Sequence, residues 1–325
     1  MTSKKRDPRT LAKGLASGKS TEQRLRAELA EARSQVDTLQ AALDQARKAN
    51  GKVAKQKRPR RMRGDFVRFF LPDTHGCFVD PAALAACLED MEALQPREIY
   101  MMGDHLDCGG FLAQHHTLGF VAEADYTFES DVAAANALLD EVQRRCPSAV
   151  ITYLEGNHEE RLEKYCITAA LRQSKDAAFL RKLIGPESVL HLEKRGIRYI
   201  TKGKTYDGCR VQGTVKAGRC YVTHGTRHGK NAAHAMLSRF GACVVFGHVH
   251  KLLAASDRNV RDGEYAAWSV GHLSRQQPLW RHGDPTDWSQ GYGFQVVTKQ
   301  DDFLHINVPI IDGRSYLALL DGALN

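Results

Sequence analysis

Aspartate, histidine and asparagine residues recur in this chain at five places where a short apolar run ends. Their carboxylate, imidazole and carboxamide groups together suit borderline divalent cations such as manganese, iron(II) or zinc. In an open α/β sheet, the residues that follow the strands meet at one rim, and ligands bind there. The sequence therefore predicts a polar site at such a rim. The groups delivered to it are Asp73, His75, Asp104, Asn157, His158, His224, His248 and His250.

Apolar runs predict the strands that must position these groups, and helical patterns lie between them. The predicted strands are residues 66–71, 98–102, 149–154, 220–223 and 242–246. The predicted helices are residues 81–94, which Pro81 opens, 128–145 and 159–172. Further candidate strands are residues 264–270, 293–298 and 303–309. The alternation of strands and helices predicts an α/β domain over residues 65–325.

The motifs around these residues resemble those of the calcineurin-like metallophosphoesterase superfamily. One such motif is a weak signal, whereas five in order, each just after a predicted strand, are specific. The likeness spans roughly residues 66–310 and is greatest to bacterial and phage-encoded members that carry G-H-x-H. It implies a four-layer α/β/β/α sandwich. The motifs are Asp73-x-His75, Gly103-Asp104-x-x-Asp107, Gly156-Asn157-His158-Glu159, His224-Gly225 and Gly247-His248-x-His250.

The resemblance also implies a role for each motif residue. One metal ion would be held by Asp73, His75 and His250, and a second by Asn157, His224 and His248. Asp104 would bridge the two ions. His158 would be the catalytic histidine, and Asp107 would orient it. Glu159, in place of the aspartate of many relatives, is expected to support its loop and not to bind metal.

The chemistry of phosphoester hydrolysis agrees with this assignment. Two divalent cations (Mn, Fe, Zn or Ni) would activate a bridging hydroxide and neutralise the phosphate oxygens. His158, made more basic by Asp107, would assist the leaving group. We therefore expect a binuclear metal-dependent phosphoesterase, acting on a phosphodiester in nucleic acid or a nucleotide. The alternatives are a phosphomonoesterase for phosphoproteins or small molecules, and a nucleic-acid-binding scaffold with a vestigial site.

One departure from a subfamily favours the diester. The Ser/Thr protein phosphatases read G-D-x-x-D-R-G and lack G-H-x-H, whereas Cys108 follows Asp107 in this chain. The likeness is therefore nearer to phosphodiesterases and to nucleases of the double-strand-break-repair type. The capping domain with which those nucleases hold DNA is not evident in the sequence.

Several polar residues near the motifs are candidates for contact with substrate phosphate. For each of them a solvated or structural role is the alternative. The candidates are His105, Arg161, Arg227 and His228. The aromatic region around Trp268, Trp280 and Trp288 could form a wall of the cleft, but core packing is the favoured interpretation.

The first 64 residues differ from the rest in charge. They carry a net charge of +12, against −4 for the remaining residues, within a total of +8. Residues 20–49 show the four–three apolar spacing of a coiled coil, which predicts a homo-oligomerising stalk or an amphipathic helix on its own domain. Residues 47–63 hold nine basic and no acidic residues. This flexible linker could contact a nucleic-acid backbone or serve as a solvated spacer.

The remaining composition points to a cytoplasmic protein, or to the host cytoplasm if the chain is phage-encoded. No apolar stretch approaches the roughly 20 residues that span a membrane, and none follows the charged amino terminus as in a signal peptide. The eight cysteines are scattered without a C-x-x-C pair, a pattern typical of reduced thiols. The predicted partner is thus a phosphoester substrate, with no membrane.

Overall fold

A computed structural model describes residues 65–109, 127–171, 173–260, 263–277 and 285–317. All the predicted motif residues lie in these ranges. The expected helix over residues 20–49 and the basic linker over residues 47–63 lie outside them. The predicted boundary between residues 1–64 and 65–325, the stalk and the linker therefore stay predictions.

The first sheet has seven strands in the order β12-β11-β10-β1-β2-β3-β4. Strands β1 to β4 run parallel, and β10, β11 and β12 extend the sheet in antiparallel fashion from β1. The strands are β1 (Phe66–Leu71), β2 (Glu98–Met101), β3 (Val150–Leu154), β4 (Arg198–Ile200), β10 (Gly291–Val297), β11 (Phe303–Ile311) and β12 (Arg314–Ser315).

The second sheet has five strands in the order β5-β6-β7-β9-β8. Its centre, β6-β7-β9, is parallel, and the edge strands β5 and β8 pair antiparallel. The strands are β5 (Thr214–Ala217), β6 (Cys220–Thr223), β7 (Val244–Phe246), β8 (Leu252–Asn259) and β9 (Gly263–Val270).

Six α-helices lie in the described ranges. They are α1 (Pro81–Leu94), α2 (Phe128–Arg145), α3 (Glu160–Ala169), α4 (Ser174–Ile184), α5 (Pro186–Val189) and α6 (Ala232–Phe240). The side chain of Asp80 caps α1 by accepting hydrogen bonds from the backbone N–H groups of Ala82 and Ala83. At the start of α2, Thr127 and Ser130 form a reciprocal capping box. These local signals fix where both helices begin.

Packing arranges the elements in four layers. Helices α1 and α2 cover the outer face of the first sheet, where Ile99 and Ile151 are fully buried. The inner faces of both sheets share a second cluster, which includes Phe70 and Val222. Helix α6 covers the outer face of the second sheet, where it packs on Phe246. Apolar strands buried on both faces are what parallel sheets require, and the result is an α/β/β/α sandwich.

The predicted elements that carry the motifs are confirmed, with bounds shifted by at most two residues. The helix expected over residues 159–172 is too long: it ends at Ala169, and α4 begins at Ser174. Leu171 adopts a left-handed φ of 49°, which stops the helix. Strands β4, β5 and β8 were not predicted, because they are short or polar on their exposed faces.

Candidate metal centre

The predicted ligands converge where the carboxyl ends of the two sheets meet. Asp73, Asp104 and Asn157 follow three neighbouring parallel strands of the first sheet, and His224 and His248 follow two neighbouring strands of the second. The backbone N–H of His248 donates to Asp73 Oδ2 at 3.0 Å. Ring atom Nδ1 of His224 contacts the Met102 carbonyl oxygen at 2.8 Å. These contacts tie one sheet to the other across the site.

Asp73, His75 and His250 form the first group of donors. Their ligand atoms lie within 4.8 Å of one another. His250 Nε2 lies 3.0 Å from His75 Nε2 and 3.3 Å from Asp73 Oδ2. All three side chains are buried. The three donors therefore face a common point, as the side chains of one metal site must.

Asp104, His224 and His248 form the second group, again with ligand atoms within 4.8 Å of one another. His224 Nε2 lies 3.3 Å from Asp104 Oδ2 and 3.0 Å from Asn157 Oδ1. Asn157 thereby joins this group as a neutral oxygen donor. Asp104 also shares a third group, with His75 and His158, so it lies between the two sites.

The donor set fits divalent cations. Among the described residues, Asp73 Oδ1 is a buried oxygen that accepts no hydrogen bond. An orphan carboxylate oxygen in a protein interior is costly unless a cation meets it. Imidazole nitrogens that face each other at 3.0 Å, as in His75 and His250, are likewise the arrangement that a shared cation stabilises.

Burial and the local charges shift the pKa values of the site in opposite directions. Burial raises the pKa of Asp73 well above the usual range of an aspartate. Burial alone would lower the pKa of His224, but the neighbouring Asp104 carboxylate outweighs it and raises that pKa to about 9. Burial and the charge of His224 lower the pKa of His248 to about 3. Without a cation, both shifts favour the protonated forms of Asp73 and His224.

Several of these donors sit on unusual backbone. The φ angles of His75, Asp104, His248 and His250 are 54°, 51°, 71° and 55°, all in the left-handed region. Residues other than glycine adopt this region at a cost, and such residues cluster at functional sites. The turn after β3 is also tight, because a Cβ on Gly156 would lie 2.0 Å from Asp104 Oδ1.

Glu159 holds the two loops that carry Asp104 and Asn157. Its buried carboxylate accepts hydrogen bonds from Tyr153 Oη at 2.7 Å and from the backbone N–H of Asp104 at 2.9 Å. Three more backbone donors, those of His105, Leu106 and Gly156, bind it at 2.8–3.0 Å. The prediction that Glu159 supports its loop agrees with these contacts.

His158 lies beside both donor groups and is only partly exposed. Its Nδ1 lies 3.1 Å from Asp107 Oδ1 and 2.6 Å from the Asp107 carbonyl oxygen. Asp107 Oδ1 also lies 2.9 Å from His75 Nδ1, so one carboxylate contacts both rings. Arg161 Nη2 lies 3.2 Å from His158 Nε2. In the neutral ring, Nδ1 donates to Asp107 and Nε2 accepts from Arg161.

A partly open cleft of about 400 Å³ is lined by members of both donor groups, namely His75, His250, Asp104, Asn157 and His248, and by His158. Its remaining walls come from five short segments: residues 78, 228–229, 249–251, 274–275 and 287–288. Of the predicted substrate-binding residues, His228 lines the cleft, and its Nε2 lies 3.2 Å from His248 Nε2. Arg161 reaches the site through His158. Arg227 is exposed and does not line this cleft.

The prediction for His105 is wrong. Its side chain is fully buried, and its Nδ1 lies 3.0 Å from Thr74 Oγ1. Because Asp104 adopts a left-handed conformation, the chain reverses there and directs the next side chain into the core against Tyr153. His105 therefore has no access to substrate.

Core packing was also the wrong interpretation for Trp288, which is partly exposed and lines the cleft. Trp268 packs between the sheets against His305, and Trp280 lies outside the described residues.

Other residues near the site were missed. Asp131 on α2 accepts hydrogen bonds from the backbone N–H groups of Asp107 and Cys108, at 3.2 and 3.0 Å. Arg275, Phe78 and Lys251 line the cleft. Asp131 carried one signal, a buried acid on an otherwise amphipathic helix, whereas nothing in the sequence pattern points to the other three.

No protein-family model matches the chain, and no curated protein matches it. Among solved structures, the chain is similar to Yfce, a phosphoesterase from E. coli, at 14% identity and a TM-score of 0.33, covering 74% of this chain and 98% of that one. It is similar to Vacuolar Protein Sorting 29 from Cryptosporidium parvum at 9% identity and a TM-score of 0.37, with coverage of 78% and 95%. It is also similar to the Pseudomonas putida nuclease MPE at 12% identity and a TM-score of 0.29, with coverage of 74% and 87%. At these identities and TM-scores the likenesses carry no argument about activity.

The described ranges contain no helix that combines the length and the apolarity needed to cross a lipid bilayer.

Proposed function

We propose that this chain hydrolyses phosphoesters with the help of two divalent metal ions. The observation that carries the proposal is the pair of donor groups, Asp73 with His75 and His250, and Asp104 with His224 and His248, in which only His248 is partly exposed. Asn157 completes the second group at 3.0 Å from His224. Two such sites, joined by Asp104 and placed beside a partly exposed histidine, are an arrangement suited to phosphoryl transfer to water.

Cations held there would offset the negative charge of the phosphoryl oxygens and make water a stronger nucleophile. The chain's own residues supply the rest. Hydrolysis forms a bond from a water oxygen to phosphorus and breaks the bond from phosphorus to the leaving oxygen. The leaving oxygen then needs a proton from a side chain, and the attacking water releases its own proton to bulk water through the open side of the cleft.

His158 is placed to give that proton. Burial would lower its pKa, but the carboxylates of Asp104 and Asp107 outweigh burial and raise it. The ring is therefore protonated more readily near neutral pH, which suits a general acid. Asp107 fixes the ring by accepting from Nδ1, so Nε2 is the nitrogen that faces the cleft.

We propose a phosphodiester as the substrate, in a nucleotide or in nucleic acid. The lining of the cleft continues beyond the donors to Arg275 and Trp288, which leaves space for substituents on the phosphorus. Arg161 Nη1 donates to the Asp107 carbonyl oxygen at 3.1 Å, so part of its guanidinium is already engaged. It is thus less available to bind the second terminal charge of a monoester.

The test is hydrolysis of bis(4-nitrophenyl) phosphate and of 4-nitrophenyl phosphate by the full chain with manganese, iron(II), nickel or zinc. We expect metal-dependent turnover that favours the diester, and two metal ions per chain by elemental analysis. Asp104→Asn should lose at least about a hundredfold in kcat, because it touches both donor groups. Asp257→Asn, an exposed aspartate on β8, is the matched control.

If kcat/KM is higher for 4-nitrophenyl phosphate than for bis(4-nitrophenyl) phosphate, the substrate is a phosphomonoester and not a phosphodiester. A chain that binds fewer than two metal ions, or that hydrolyses neither ester with any of the four metals, would overturn the proposal.

A further inference from the structure

One wall of the cleft carries three side chains with no part in holding metal or in moving protons. They are Phe78, Arg275 and Trp288. Phe78 and Trp288 are partly exposed, and Arg275 is exposed. Large aromatic groups at the edge of a cleft are the usual means of binding a planar ligand, and an arginine beside them binds anions. This wall is therefore a candidate for the part of the substrate beyond the reacting phosphorus.

The wall is held in place by hydrogen bonds between its segments. Gln276 Nε2 donates to the Trp288 carbonyl oxygen at 2.7 Å. Thr286 Oγ1 donates to the Gln276 carbonyl oxygen, also at 2.7 Å. The backbone N–H of Arg275 donates to the Phe78 carbonyl oxygen at 2.9 Å. Because hydrogen bonds already order these segments, the wall would lose little conformational entropy when a ligand binds. This preorganisation favours a role in ligand binding.

The position of Trp288 relates this wall to the reacting group. Its ring lies edge-on to the ring of His250, with centroids 4.3 Å apart. A phosphoryl group bound at the donors would therefore hold its substituent within reach of Trp288. The cleft volume of about 400 Å³ is near the lower end of the range of roughly 300–1,000 Å³ for small-ligand sites. It fits one nucleotide-sized unit.

The two cationic side chains near this wall, Lys251 and Arg275, differ in how far their charges are neutralised. Lys251 forms an ion pair with Asp287 at the rim, so its charge is largely neutralised. Within the described ranges, the guanidinium of Arg275 has no ion-pair partner within bonding distance, although Asp80 is close enough to feel its charge. Two aromatic side chains beside a cation that forms no ion pair within the described residues complement a molecule that combines a planar base with a phosphate.

We propose that Phe78, Arg275 and Trp288 form a subsite for a nucleotide, in which the base packs on the aromatic rings and Arg275 contacts a phosphate oxygen. The proposal rests on the phosphoesterase function and names its substrate class. Phosphotyrosine, which also joins an aromatic ring to a phosphate, is the competing ligand that the experiment must separate.

The test is calorimetric binding to the full chain with manganese, using thymidine 5′-monophosphate and methyl 2-deoxyribofuranoside 5-phosphate, in which a methoxy group replaces the base. We expect the unchanged chain to bind the thymidine compound about tenfold more tightly, the size of one base–aromatic contact. Trp288→Leu should reduce this ratio to about one, whereas Trp288→Phe, which keeps a ring, should retain most of it. Phe78→Leu should also reduce the ratio of the two affinities.

Phe179→Leu, an exposed aromatic residue on α4 that is 61% exposed, is the matched control and should leave the ratio unchanged. Arg275→Gln should weaken both ligands by a similar factor, because both carry the phosphate.

Three results would each overturn the subsite. The first is equal binding of the two phosphates, and the second is an equal effect of Trp288→Leu and Phe179→Leu on the ratio of affinities. The third is tighter binding of O-phosphotyrosine than of the nucleotide. Because binding is measured without turnover, a chain that hydrolyses no ester yet prefers the base would contradict only the phosphoesterase function. Hydrolysis of bis(4-nitrophenyl) phosphate without any base preference would contradict only the subsite.

Discussion

At the scale of single residues, the site depends on one carboxylate that serves two rings. Asp107 Oδ1 lies 2.9 Å from His75 Nδ1 and 3.1 Å from His158 Nδ1. Such contacts select the tautomer of each ring, because the nitrogen that donates to the carboxylate leaves the other one to act. The ring proposed to bind metal and the ring proposed to donate a proton are thus oriented together.

The two polar neighbours of His158 should shift its pKa in opposite directions. Asp107→Asn removes a charge that raises this pKa, so the alkaline limb of the pH–rate profile should move to lower pH. Arg161→Gln removes a charge that lowers it, so the same limb should move to higher pH. The measurement is kcat/KM against pH for both variants in parallel. Shifts in the same direction would contradict the assignment of His158 as the acid.

At the scale of elements, turns after strands bring the donors together, and these turns tolerate little extra volume. The backbone at Gly156 passes so close to Asp104 that even a methyl group would collide with it. The Glu159 carboxylate then fixes this turn to the one after β2. The precision of the site therefore depends on residues that touch neither metal nor substrate.

Gly156→Ala should separate the two loops. A Cβ there would lie 2.0 Å from Asp104 Oδ1 and 2.4 Å from its backbone nitrogen, so one loop must shift. We expect metal affinity to fall by about 10- to 100-fold, the usual effect of disturbing the groups behind metal ligands. Gly203→Ala, where no atom lies within 4 Å of the added Cβ, is the control and should bind metal normally. Elemental analysis after dialysis measures the difference.

Glu159→Gln should destabilise the fold. Both oxygens of Glu159 accept from buried donors, and the amide of glutamine would turn an N–H group toward one set of them. We expect a loss of about 2–3 kcal/mol in the free energy of unfolding, the range for buried donors left unpaired. The measurement is urea denaturation of Glu159→Gln and of the control variant Glu264→Gln, which changes an exposed glutamate on β9. Equal midpoints for the two variants would show that these hydrogen bonds matter little.

At the scale of the whole molecule, the donors come from both sheets, so metal bound at the proposed sites would join the two halves of the sandwich. Asp73 and Asp104 follow strands of the first sheet, and His224 and His248 follow strands of the second. A ligand that binds only the folded form stabilises it by mass action, by about 2.7 kcal/mol at a hundredfold excess over Kd. The proposed metal binding would therefore couple folding stability to metal content.

Metal affinity should rise with pH. Below its raised pKa Asp73 holds a proton, and below about 9 His224 does too, so a cation must displace both. Raising the pH removes these protons, and the affinity should increase by up to about tenfold per pH unit for each proton displaced. Calorimetry of manganese binding in two buffers of different ionisation enthalpy measures the protons released. Affinity that is constant from about pH 6 to about pH 8 would contradict the expected protonation.

The basic linker over residues 47–63 leads to a prediction that involves the full chain. Replacing Lys57, Arg58, Arg60, Arg61 and Arg63 with glutamine should reduce the salt dependence of DNA binding, because fewer counterions are released. The slope of log affinity against log salt should fall by about 0.9 for each phosphate that the linker no longer neutralises. Fluorescence anisotropy with a labelled duplex measures it. An unchanged slope would mean that the linker is only a spacer.

The sequence by itself determined which residues form the donor set and which strands carry them. Apolar runs that stop at Asp73, Asp104 and His224 are local patterns. Such patterns can be recognised in the sequence without knowledge of the fold. The helix bounds at Asp80 and Thr127 follow from capping, which also acts between neighbours in the chain.

Only the tertiary structure decided which side chains surround the donors. His105 turned inward because of the backbone at Asp104, and Trp288 and Arg275 reached the cleft through hydrogen bonds between segments distant from the motifs. The five groups that donate hydrogen bonds to the Glu159 carboxylate come together only in the folded structure. Contacts of this kind depend on long-range packing and on left-handed turns, and neither leaves a periodic signal in the sequence.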